Sequence, residues 1–266
     1  MATDDDRLAH DLAVEAGRRL VVLRGHGGEP DEVRKAGDLR SHEFLSAGLA
    51  RLRPGDWVLS EEAADDPGRL TADRVWIVDP LDGTREFGDA GRKDWAVHVA
   101  LWERSQAGGG GLTAGAVALP AQEAVLSTVT PPPLPPAPLP SARPGGRLRV
   151  VVSRSRPAPF LPRMAELLGA DLIPLGSAGA KAAAVLRGEA DAYVHAGGQY
   201  EWDSAAPVAV ARAAGFHASR IDGRELSYNQ TDLLMPDILV CSPALAGALL
   251  DAISSAQPGE TGGSRR

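Results

Sequence analysis

The chain has a single cysteine, Cys241, which excludes an intrachain disulfide, and its six scattered histidines show no Cys/His spacing of the kind that builds structural zinc. Positive charge is also short: 28 Lys and Arg stand against 35 Asp and Glu, a net charge of -7. A surface of that sign attracts neither nucleic acid nor anionic membrane, although one basic pocket for a small anion remains compatible with it. No apolar run approaches the length of a membrane span, and the acidic start MATDDDRLAH is not a signal peptide, so a cytoplasmic protein without a membrane span is expected. A phosphate loop is missing too, because the glycine run Ala107 to Gly111 lacks the lysine and helix such a loop requires. What remains is ordinary: 44% apolar and 24% charged residues over 266 positions, enough for one large or two small domains.

Leu8, Leu12, Ala16, Leu20 and Leu23 share one face of a helix expected over 6–24, and a second helix is expected from Ser41 to Leu52, stopped by Pro54-Gly55. Apolar runs at 57–59, 75–78, 95–102, 113–119 and 124–128 predict one largely antiparallel sheet. The proline-rich tract 130–146 cannot donate most backbone hydrogen bonds and reads as an extended connection. It divides an α+β half, 1–129, from an α/β half, 147–254, in which strands and helices alternate; a polar tail, 255–266, is expected to be disordered. A hairpin is expected around Asp222-Gly223, and Asp203 reads as the N-cap of a helix with Pro207 in its first turn.

The stretch VWIVDPLDGTREF runs a buried strand directly into Asp79 and Asp82. Pro80 sets a turn and Gly83 permits close backbone approach, so both carboxylates can face one point, where a cation relieves their repulsion. Hard oxygen ligands at this density suit Mg²⁺, and the N–H groups of Gly83 and Thr84 could meet a phosphate oxygen. An Asp-Pro turn with an Asp N-cap is the plain alternative. The haloacid-dehalogenase arrangement fails, because its aspartates are two apart rather than three. Glu61 and Glu62 follow a short strand upstream, where a solvated acidic loop is the plain reading. His98 alternates within a strand and reads as a core or lining residue.

Taken in order, SEE, WIVDPLDGT and EWDSAAPVAVARAAG resemble the three motifs of the inositol monophosphatase-like superfamily, over nearly the whole chain. The resemblance implies a layered α+β and α/β sandwich of the sugar-phosphatase type. It implies two or three Mg²⁺ ions held by Glu61, Asp79, the Leu81 carbonyl, Asp82 and Asp203, with Thr84 positioning the attacking water and lithium inhibiting. The family pairs that threonine with an early aspartate. Here the region reads RKAGDLRSHEFL, in which His42 or Glu43 falls nearest and Asp38 slightly early.

Two segments are similar to the nucleotidase branch of that superfamily, and the style resembles its actinobacterial members. GSAGAK would bring Ser177 and Lys181, and SRSR would bring Ser153, Arg154 and Ser155, to the substrate beside Gly83, Thr84 and Asp203. A helix start capped by Ser177, with Lys181 on the solvent face, is the plain alternative. Ala196 stands where inositol phosphatases carry a glutamate. The implied activity is Mg²⁺-dependent removal of the 3'-phosphate from adenosine 3',5'-bisphosphate, with 3'-phosphoadenylyl sulfate as a second substrate, in sulfur assimilation and nucleotide recycling. The rivals are an inositol or fructose bisphosphate phosphatase and a silent nucleotide sensor. The expected partner is a small phosphorylated nucleotide, and a homodimer stays open.

Overall fold

The computed structural model describes residues 2–106, 109–134 and 146–257. Most of the proline-rich connection, two residues of the glycine run and the end of the expected tail lie outside these. Helix α1 (Asp4–Gly25) opens on a capping box in which Thr3 and Asp6 exchange hydrogen bonds. Helix α2 spans Pro30–Leu52. Strands β1 (Trp57–Ser60), β2 (Arg74–Asp82), β3 (Ala96–Arg104), β4 (Gly110–Leu119) and β5 (Ala124–Ser127) form one sheet in that order, with the short helix α3 (Thr84–Phe87) after β2. Only β1 and β2 pair in parallel; the other neighbours are antiparallel, as expected.

The second sheet contains β6 (Leu148–Ser153), β7 (Ala170–Leu175), β8 (Ala192–Tyr200), β9 (His217–Ser219) and β10 (Leu234–Cys241) in the order β7-β6-β8-β10-β9. Helices α4 (Leu161–Leu168), α5 (Ala178–Leu186), α6 (Glu201–Ala213) and α7 (Pro243–Ala256) alternate with these strands or follow them. The apolar clusters define five layers. Leu12, Leu20, Leu45 and Leu49 of α1 and α2 cover one face of the first sheet at Trp76, Val78 and Val99. Residues of α5 and α6 fill the space between the sheets, and Met164, Leu249 and Ile253 of α4 and α7 close the far face of the second. Every residue of α5 is buried, and its alanine-rich sequence is small enough for a helix enclosed on both sides.

Three expectations are corrected. Helix α2 starts at Pro30, not Ser41, because its buried face is built from Gly37, Ser41, Leu45 and Gly48. These have helical spacing, but small residues leave little hydrophobic signal. The chain does turn at Asp222-Gly223, with Arg220 N–H bonded to Arg224 O, yet no strand lies between 220 and 233, and β9 pairs instead with β10, which begins at Leu234. Asp203 is the third residue of α6 rather than its N-cap, and Pro207 lies inside the helix.

Candidate active site

Residues three apart in a regular strand point to opposite faces. Asp79 and Asp82 converge because β2 bulges: Asp79 pairs with His98 and Asp82 with Ala96, so β2 carries one more residue than β3 between the two pairings. Pro80, with no N–H for the ladder, sits inside the bulge, and Leu81 N–H donates to Asp79 Oδ1 at 3.0 Å. Asp203 arrives from the first turn of α6, where its carboxylate accepts Tyr200 N–H at 2.7 Å. Carboxylate oxygens of Asp79, Asp82 and Asp203 all lie within 4.8 Å of one another. Glu61, just beyond β1, stands at the rim of the same cavity as Asp82 and Asp203.

The electrostatics separate these acids. Burial, then repulsion from Glu61, Asp82 and Asp203, pushes Asp79 well above the usual carboxylate range. Burial, then Asp82, raises Asp203 to about 6, and desolvation followed by Asp203 raises Glu61. Asp82 goes the other way, to about 2: burial opposes its charge, but His98, Lys181 and Ser177 outweigh burial. Its carboxylate accepts the Ser177 hydroxyl and the N–H groups of Ala178 (3.1 Å) and Gly179 (2.6 Å) at the start of α5. His98, fully buried, approaches within 3.2 Å through Nε2, as a charge pair rather than an aligned hydrogen bond, while Nδ1 lies 3.1 Å from Trp202 O. A Cβ at residue 179 would fall 2.1 Å from His98 Nε2, so glycine lets helix and ring meet there. Crowded carboxylates with this much mutual repulsion form a donor set that fits hard divalent cations such as Mg²⁺.

Gly83 caps α3 with φ +86, and a Cβ there would press on Ser177, Asp94 and Trp95. This turn sets Thr84, whose hydroxyl reaches Asp38 Oδ1 at 3.3 Å or Leu81 O at 3.1 Å; its one proton serves either. Asp38 is thus the threonine's acidic neighbour, in place of the His42 or Glu43 that the sequence put nearest. His42 instead meets Ser60 Oγ at 3.0 Å, and Glu43 lines a different groove. Burial and nearby Glu62, opposed by the Thr84 hydroxyl, lift Asp38 to about 6.

The cavity, about 360 Å³, extends from the carboxylates to the ends of β6 and β8. Gly83, Thr84, Ser153, Ser177 and Lys181, each a candidate substrate contact from the sequence, line it. Lys181 is 4% exposed, which removes the solvent-face alternative; burial lowers it to about 8, and Nζ donates to the carbonyls of Gly176 and Ser177. Arg154 does not line the cavity: it is ion-paired with Glu86. Arg156 does, along with Arg85, His195 and Gln199, none of which the sequence reading singled out. The second Ser-Arg of SRSR was the available signal for Arg156. A larger groove of about 640 Å³, between α1 and α2, gathers Leu20, Leu23 and Phe44 beside Arg19 and Arg40 and holds no acidic cluster.

A sequence profile of the inositol monophosphatase family matches residues 8–257. The chain belongs to the inositol monophosphatase family. Among its family relatives, a 3'-phosphoadenosine 5'-phosphate phosphatase of Mycobacterium bovis is 51% identical over 91% of this chain and 90% of its own. The 3'(2'),5'-bisphosphate nucleotidase CysQ of Escherichia coli K12 is 32% identical over 73% of this chain and 78% of its own. Among solved family structures, CysQ of Bacteroides thetaiotaomicron superposes with a TM-score of 0.75 at 27% identity, covering 90% of this chain and 97% of that one. Inositol monophosphatase II of Staphylococcus aureus, at 20% identity and TM-score 0.73 over 92% and 93% of the two chains, shares the fold. The layered sandwich that the motifs implied is therefore the fold observed. No helix among the described residues is long and apolar enough to cross a membrane.

Proposed function

We propose that this chain is a Mg²⁺-dependent phosphatase that hydrolyses the 3'-phosphate of adenosine 3',5'-bisphosphate to AMP and phosphate, with 3'-phosphoadenylyl sulfate as a second substrate. The observation that carries the reading is the convergence of Asp79, Asp82 and Asp203 beside Thr84 and Asp38, in a cavity that Lys181 and Arg156 also line. A mycobacterial relative half identical to this chain is named for that phosphatase activity. Glu61, Asp79, the Leu81 carbonyl, Asp82 and Asp203 would hold two or three cations. When bound, these supply positive charge to the phosphate, the attacking water and the departing oxygen.

The chain's own groups divide the remaining work. Thr84 Oγ1, donating to Asp38, offers a lone pair that orients the attacking water, and Asp38 fixes that rotor. The water oxygen forms a bond to phosphorus as the bond to the 3'-oxygen breaks; of the water's two protons, one stays on the released phosphate and the other ends on the 3'-oxygen. Ser177 and the first N–H groups of α5 hold Asp82 in place, and His98 keeps it ionised. Arg156 and Lys181 supply cationic charge toward the 5'-phosphate. Ala196 offers no carboxylate to a cyclitol hydroxyl, which weighs against an inositol phosphate. We place the enzyme in the cytoplasm, acting on a small nucleotide without nucleic acid or membrane. The test is steady-state phosphate release from adenosine 3',5'-bisphosphate, its sulfate and inositol 1-phosphate, with and without Mg²⁺.

A further inference from the structure

Glu61 and Asp203 come from opposite halves of the chain, yet a run of buried and half-buried polar contacts joins their supports. Past Glu61 the chain reaches a single 3₁₀ turn, Pro67–Thr71, capped by Asp66. Arg69 lies in that turn, 1% exposed and among the largest fully buried side chains. Its guanidinium clamps Asp65 twice, Nε to Oδ1 at 2.6 Å and Nη2 to Oδ2 at 3.0 Å. It then crosses to the loop before β10, donating to Asn229 Oδ1 at 2.7 Å and Gln230 O at 2.8 Å. Asn229 returns a bond from Nδ2 to Arg69 O at 3.2 Å. The N–H groups of Asn229 and Gln230 point on to the two oxygens of Glu201, at 2.6 and 2.7 Å. Glu201 is the first residue of α6, and Asp203 is the third.

We infer that Arg69 is a positioning residue for the metal site: through Asp65 it sets the Glu61 loop, and through Asn229 and Gln230 it sets the turn of α6 that presents Asp203. The inference rests on the metal-dependent reading above. A planar fork with several fixed donors can satisfy Asp65, Asn229 and Gln230 together, which a single lysine ammonium cannot. None of these groups would touch a cation, so their effect is on ligand spacing. Groups behind the ligands of a metal site change its affinity by about ten- to a hundredfold.

The test uses the full-length protein and Mn²⁺ alone, titrated and followed by the electron paramagnetic resonance signal of the free ion, well below the melting temperature of each variant. Arg69→Lys and Asn229→Gly each break the bracket; glycine keeps the left-handed backbone at this position, where φ is +59. Arg74→Lys is the control, because Arg74, at the start of β2, is also multiply ion-paired, to Asp5, Asp56 and Glu103, but bonds to neither the Glu61 loop nor α6. The expected result is Mn²⁺ affinity weakened about tenfold or more in both bracket variants and unchanged in the control, whatever each does to thermal stability. Wild-type affinity in the folded bracket variants overturns the inference, and so does equal weakening in Arg74→Lys. No Mn²⁺ uptake by the wild-type protein would remove the metal reading itself.

Discussion

Thr84 and Asp38 sit 46 residues apart in the chain, and the threonine hydroxyl comes within 3.3 Å of the aspartate Oδ1 beside the carboxylate cluster. A hydroxyl held by a half-buried acid can orient a water; a free rotor cannot. Asp38→Asn and Thr84→Ala should each lower kcat by roughly a hundred- to a thousandfold with little change in melting temperature. The double variant should fall little further, because the two groups act as one unit. Additive losses in a kinetic cycle would show that they act separately.

Arg156 and Arg154 offer a contrast within one tetrapeptide. Arg156 lines the cavity while Arg154 is committed to Glu86. Arg156→Ala should reduce kcat/KM for adenosine 3',5'-bisphosphate by about ten- to a hundredfold, the value of one charge-assisted hydrogen bond, and should affect 3'-AMP much less. Arg154→Ala should discriminate far less between the two substrates. The reverse pattern in kcat/KM would return the 5'-phosphate to Arg154.

The carboxylates make stability depend on pH in a direction the cation reverses. Asp79 and Glu61 lie above their ordinary values, and Asp203 is raised from 3.8 to about 6. Between those limits the native chain binds more protons than the unfolded one, so these groups lose stability as pH rises. His195, lowered from 6.5 to about 4 by burial, works the opposite way below its ordinary value. The clean observable is therefore the melting-temperature difference between Mg²⁺ and chelator at each pH. It should be larger at about pH 7.5 than at about pH 5, because the cation binds the ionised acids. A difference independent of pH would contradict the cluster's role.

The sequence made the strands and the Asp-Pro-Leu-Asp turn legible, since a continuous apolar run and a proline act locally. It did not show the bulge that converges Asp79 and Asp82, because a bulge depends on pairing with β3. The start of α2 was hidden for a related reason: Gly37 and Ser41 pack by being small, and small residues leave no hydrophobic pattern. That hidden turn carries Asp38, so the sequence left it as only one of three candidates for the partner of Thr84, and not the nearest. Arg156 escaped notice because β6 ends at Ser153, after which strand alternation no longer predicts which side chain faces the cavity. His98 was read as a core or lining residue and is a core one, fully buried, but its contact with Asp82 lies between neighbouring strands of the sheet.

The most direct test of the account is the identity of the products from adenosine 3',5'-bisphosphate, resolved by chromatography with Mg²⁺ and with chelator. One phosphate released per nucleotide, 5'-AMP as the nucleoside product, and loss of turnover when the metal is removed are the expected results. Formation of 3'-AMP, turnover undiminished by chelation, or no turnover beside rapid hydrolysis of inositol 1-phosphate would contradict the account.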